Sequence, residues 1–271
     1  MNFETIRHSA SNSFVKIEKG ELVSFQCNNE ELMHQKGAPG WRNTDTEMFP
    51  IVGPTAQNNF KVTTPKGMCI QDQHGLLREL EYSVLEKNET SIRFVKNYKA
   101  HTPIKNSKFP AKSSEALLSW PYDFTFVKSF KLTDQGLMVS FEIKSEVEMP
   151  FMLGYHPAFN LSGDASEVIQ TNGKNITIHQ ILEVGDVALP VLHTSEIRLQ
   201  KKGGYDLKIQ SKGFDNYMLW TPVPNMLCIE PITAYPYTEK GLKGKNMFQS
   251  CLLYTSPSPR DQRGSRMPSS A

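Results

Sequence analysis

The feature that most constrains this chain is a hydrophobic period of two. Leu137, Val139, Phe141 and Ile143 alternate with Met138, Ser140, Glu142 and Lys144, and Tyr205, Leu207 and Ile209 alternate with Asp206, Lys208 and Gln210. Such alternation gives a strand one buried face and one wetter face. Lys19-Gly20-Glu21, Lys87-Asn88-Glu89, Thr133-Asp134-Gln135-Gly136 and Lys201-Lys202-Gly203-Gly204 separate apolar runs by hairpin-sized loops. Helical periodicity is scarce, and only residues 113–118 offer one short turn, capped by serine. Residues 37–59 are long, aromatic and rich in Pro and Gly, which predicts an ordered, functional loop over one sheet face. No composition break or repeat divides the first 249 residues. The expected fold is all-β, a single large antiparallel β-sandwich over residues 1–250.

The texture changes near Cys251. Residues 251–271 lack alternation and hold three arginines, three prolines and many serines. They are expected to be a disordered, non-native tail replacing a lost natural C-terminus, and they are excluded from fold reasoning. The formal net charge is only +2, with both signs evenly mixed. That is no footprint for nucleic acid or an anionic membrane surface. No apolar run approaches the ~18 residues of a membrane span. The N-terminus has no apolar leader core, and Cys27, Cys69, Cys228 and Cys251 form no CxxC pair. These features predict reduced thiols and a cytoplasmic protein without disulfides or a zinc motif.

Three distant segments each place one titratable group beside a glycine or proline. In Gly154-Tyr155-His156-Pro157-Ala158-Phe159-Asn160, Pro157 biases His156 toward extended backbone, and Tyr155 and Phe159 offer aromatic faces suited to a sugar ring. In Gln73-His74-Gly75, the glycine permits a sharp turn or a close approach, and Arg78 supplies a donor fork four residues on. In Cys228-Ile229-Glu230-Pro231, an apolar run ends on a carboxylate, and burial there would raise its pKa toward neutrality. Each has a plainer alternative: a surface turn for His74 and Arg78, a core histidine for His156, an edge-strand glutamate for Glu230. Asp215 in Gly213-Phe214-Asp215-Asn216 is a weaker candidate for binding a hydroxyl. Two histidines and a glutamate suggest a metal triad, yet no two share a ligand motif, so no metal is expected. His8, His34, His101, His179 and His193 have no comparable context.

Together with Phe49-Pro50-Ile51-Val52-Gly53 and Leu219-Trp220-Thr221, and in this order, these segments resemble the aldose 1-epimerase (galactose mutarotase-like) family in its shorter bacterial branch. The resemblance implies a β-sandwich with a sugar cleft on one sheet. It implies Glu230 as general base, His156 as general acid and His74 as a second histidine at the reacting oxygens. Arg78 and Asp215 are the implied substrate-binding residues, and Tyr155 and Trp220 complete that candidate set as aromatic contacts. The implied activity is interconversion of α and β anomers of an aldohexose, without cofactor. The sequence departs from the family where Ile232-Thr233 follows Glu230-Pro231 in place of tryptophan and glycine, and where Pro54 follows Gly53 in place of a frequent arginine. Two other functions remain open: a non-catalytic sugar-binding module, and a glycoside-cleaving enzyme using Asp215 and Glu230 as its carboxylate pair.

Overall fold

The computed structural model describes residues 3–236 and the backbone of 249–250. The expected tail, residues 251–271, lies outside the described residues. Among those described, every strand pair is antiparallel, and the architecture is the expected sandwich. A first sheet runs Phe3–His8, Ser13–Glu18, Glu21–Cys27 and Glu30–Glu31. A second is ordered Gly136–Ser145, Phe124–Thr133, Ser91–Tyr98 and Ser83–Lys87. Ile6, Val15, Ile17 and Leu22 of the first bury against Ile92, Phe94, Phe130 and Leu132 of the second.

The sheet that holds His156 and Glu230 has Met226–Ile232 near its middle. It is ordered Leu189–Leu192, Asn216–Trp220, Met226–Ile232, Gly154–Tyr155 and Glu47–Met48, with Ala158–Asn160 also paired to Met226–Ile232. All seven residues of Met226–Ile232 are buried. Tyr217, Leu219, Leu227 and Ile229 point one way, onto Ile169, Ile197 and Leu199 of a four-stranded sheet and onto the helix Ile178–Val184. The alternate residues Trp220, Met226, Cys228 and Ala158 point the other way and pack with Trp41.

Residues 113–118 do not form the expected helical turn. The Ser113 hydroxyl accepts from Glu115 N two residues on, as in a turn, and Leu117–Leu118 pairs with Ile104–Lys105. The one α-helix among the described residues, Ile178–Val184, is held at its start by a capping box of Thr177 and Gln180. No described helix is long and apolar enough to cross a membrane.

Candidate active site

Period two places the two central groups. Gly154 pairs with Ile232 and Ala158 with Cys228, so one register runs through both ends of this contact. In that register His156 stands opposite Glu230, with Pro157 and Pro231 beside them. Proline has no N–H to give to a ladder, so two ladder bonds are missing here, while Ile229 N still donates to Pro157 O at 3.3 Å. His156 Nε2 lies 3.3 Å from Glu230 Oε1, and the side chains are 7% and 3% exposed. On the outer side His156 exchanges both backbone hydrogen bonds with Thr46, at 2.8 and 3.2 Å.

The turn bearing His74 is fixed to the same sheet through Phe49-Pro50. Phe49 N donates to His74 O (3.1 Å), Gly53 N to Gln73 O (2.9 Å) and Leu77 N to Phe49 O (3.0 Å). Gly75 has φ +70°, and a Cβ there would stand 2.1 Å from Phe49 O, so only glycine allows this approach. The result sets the His74 ring edge-on to His156, with centroids 5.7 Å apart. Arg78 Nη1 lies 2.6 Å from His74 Nδ1. Arginine only donates, so Nδ1 is the acceptor and a neutral His74 carries its proton on Nε2. Buried Asp72 holds both Arg78 (3.4 Å) and Lys108 (3.0 Å) behind the ring.

Two tryptophans bound the pair. Trp41, from the loop that leads into the strand Glu47–Met48, stacks on His156 with centroids 4.4 Å apart and planes 26° apart; the expected loop over residues 37–59 is thus interrupted by that strand. His34 Nε2, 2.7 Å from Trp41 O, ties that loop down. Trp220 meets His156 edge-on at 6.2 Å. His156 Nδ1 is buried without a hydrogen-bond partner among the described residues, which leaves a polar atom able to meet a ligand oxygen.

Burial disfavours charge on both central groups. It pushes Glu230 well above the usual carboxylate range. Burial, reinforced by the Arg78 charge, pushes His156 down to about 3. His74 is lowered by burial and then by Arg78, His156 and Lys108. The uncharged pair, Glu230 as acid and His156 as free base, holds one proton in total. An ion pair of His156 and Glu230 holds the same number.

The structure therefore brings together Glu230, His156, His74, Arg78 and Trp220. It does not bring Tyr155 or Asp215 to them. Tyr155 follows the alternation onto the opposite face of its strand, where its hydroxyl donates to Asp45 Oδ2 (2.8 Å). Phe159 shares that face and packs into the core. Asp215 is exposed and lies three residues before Met218, the cross-strand neighbour of Glu230, about 10 Å along the strand. Trp41 and Asp72 were not singled out by sequence reasoning; the long aromatic loop was the only signal of Trp41. His156, Cys228 and Glu230 can present ligand atoms within 4.8 Å of one another. Burial and the nearby Glu230 raise the Cys228 pKa well above its ordinary value, which keeps the thiol protonated and opposes metal ligation.

The fold is that of the galactose mutarotase-like proteins. A galactose mutarotase-like protein from Lactobacillus casei superposes with a TM-score of 0.71 at 18% identity, covering 87% of this chain and 89% of that one. A galactose mutarotase related enzyme from Lactobacillus acidophilus gives 0.67 at 19% identity, covering 92% of each chain. The aldose 1-epimerase family model matches residues 20–235, and this chain belongs to that family. The chromosomal and plasmid forms of protein LacX from Lactococcus lactis subsp. lactis are each 26% identical over 149 residues, which is 52% of this chain. The matched stretch spans only 45% of those relatives' own length.

Proposed function

We propose that the protein is a mutarotase that interconverts the α and β anomers of an aldohexose in the cytoplasm. The observation that carries this reading is the buried His156–Glu230 pair, 3.3 Å apart, with His74 beside it. Ring opening needs a proton removed from the C1 hydroxyl and a proton delivered to the ring oxygen. Glu230, as carboxylate, takes the first, and His156, as imidazolium, gives the second. The pair leaves this step as neutral acid and neutral imidazole, the state that burial favours. Rotation about C1–C2 then presents the other face of the aldehyde, and closure returns each proton. The enzyme's proton count is the same before and after, so no cofactor is required by the balance of the reaction.

Arg78 has donors left beyond its contact with His74 and suits a sugar hydroxyl. Trp41 and Trp220 offer flat apolar surfaces for the C–H face of a pyranose. Asp215 keeps a place only as a peripheral hydroxyl contact. A sugar-binding module would need these surfaces but not an acid paired with a base.

Polarimetry of freshly dissolved glucose and galactose tests the reading. Glu230→Gln keeps the size and shape of the side chain and is expected to lower kcat by about 10²–10⁴-fold with the circular dichroism unchanged. A variant as fast as the parent would remove Glu230 from the base role. Saturable sugar binding by the parent protein without faster anomer exchange would leave the binding module in its place.

A further inference from the structure

The strands that hold the His156–Glu230 pair carry a second polar group on their other face, and the reaction proposed above makes no use of it. Lys128 is wholly buried in the middle of Phe124–Thr133. Its Nζ lies 2.6 Å from Asp45 Oδ2 and 2.5 Å from Glu47 Oε1, and donates to Gly20 O at 3.1 Å. Asp45 also accepts from Leu22 N (3.0 Å) and from the Tyr155 hydroxyl (2.8 Å). Burial opposes the Lys128 charge, but the two carboxylates outweigh it and hold the ammonium charged. Buried charges this well partnered are costly to assemble, and ordinary packing would serve stability as well.

What distinguishes this cluster is the residue between the two carboxylates. Thr46 lies between Asp45 and Glu47 and exchanges both of its backbone hydrogen bonds with His156. Tyr155, the neighbour of His156 in the chain, binds Asp45. Lys128 therefore grips the segment on one side of His156 at two points, and through Asp45 and Tyr155 it also reaches His156's own strand. Toward Glu230, Pro157 and Pro231 remove two ladder bonds while Ile229 N still donates to Pro157 O at 3.3 Å, and the N–H and C=O of His156 itself are both taken up on the Thr46 side.

We infer that Lys128, acting through Asp45 and Glu47, is a positioning residue that fixes the His156 imidazole against Glu230 for the anomerisation proposed above. Lys128 touches neither sugar nor reacting proton. Removing the cluster should leave sugar binding nearly intact and slow the chemical step, because a displacement of about 1 Å can cost ~10²-fold in rate.

The test uses the triple variant Lys128→Met, Asp45→Asn, Glu47→Gln, which removes the three mutually paired charges together; buried Lys96, whose charge Glu47 and Asp45 also favour, keeps its bond to Leu77 O. Tyr155→Phe serves as a second, gentler variant that removes only the bond to Asp45. Polarimetry gives kcat and KM, and ¹⁵N-resolved NMR of the His156 ring reports its environment without relying on turnover. The triple variant is expected to lose about 10- to 100-fold in kcat, with KM within about twofold and the His156 ring signals shifted. Tyr155→Phe is expected to show the same pattern at smaller amplitude, and it decides the matter if the triple variant does not fold. Parental kcat and unshifted His156 signals in the folded variants would overturn the assignment, as would a loss confined to KM. If Glu230→Gln proves fully active, the anomerase reading falls, while the NMR shifts still decide whether the cluster positions His156.

Discussion

His156 and Glu230 face each other as a cross-strand pair where Pro157 and Pro231 remove two ladder bonds between their strands. The register that sets Gly154 against Ile232 and Ala158 against Cys228 leaves these two side chains on one face, 3.3 Å apart. The pair is thus built into the sheet itself, while His74 and Trp41 arrive from loops.

This relationship sets the pH dependence. The working pair holds one proton, and a second is added only when the medium falls below the His156 pKa, which burial and Arg78 push down to about 3. The acid limb of kcat/KM is therefore expected well below the 6.5 of an ordinary imidazole. Polarimetry across pH about 4 to 9 is expected to show no half-loss of activity near that ordinary value. A half-loss of activity near the ordinary imidazole value, traced to His156, would show that the ring titrates as if exposed.

Glu230 also ties stability to pH. Its pKa is raised in the folded protein, so the folded state keeps a proton that the unfolded chain gives up above the ordinary 4.5. Stability is lost as pH rises through that window, up to the folded pKa. The amide introduced by Glu230→Gln has no such proton to lose. The Tm difference, variant minus parent, is expected to be more positive at about pH 7 than at about pH 4. Thermal melts at the two pH values check the sign, and equal differences would mean that the carboxyl is not shifted by burial.

Trp41 supplies much of the cover over the imidazole. Trp41→Ala is expected to lower stability by about 0.5–1.5 kcal/mol beyond the area lost, the usual worth of an aromatic pair. It should also raise the His156 pKa from its buried value toward the ordinary 6.5, because water then reaches the ring. Urea unfolding and ring NMR titration measure both. A His156 titration unchanged in the variant would assign the burial to other neighbours.

The strand pattern was legible because Leu137, Val139, Phe141 and Ile143 obey period two, and each of them packs against a core. His156, Glu230 and His74 were legible through the glycine or proline beside them, and Arg78 through its place four residues after His74. The misreadings have local causes. Tyr155 was read as a sugar contact for its aromatic ring alone, although its neighbour His156 was already assigned to the site, and adjacent strand residues point to opposite faces. Residues 113–118 looked like a capped turn because a serine hydroxyl serves turns and helices equally well. The helix Ile178–Val184 did carry a signal, Thr177 followed three residues later by Gln180. Trp41's partner was beyond reach, since 115 positions of chain separate it from His156. Lys128 was not. It holds an inward position between Phe126 and Phe130, where a lysine signals a buried partner of opposite charge.

The gap flanked by Pro157 and Pro231 has a consequence for how this stretch can change. Insertion or deletion of one residue between Gly154 and Ala158 would swap faces, sending the imidazole into the interior and the Tyr155 phenol out toward Trp41. A frame of fixed length cannot be lost here, and the spacing from Gly154 to Ala158 is as much part of the proposed apparatus as the histidine it carries.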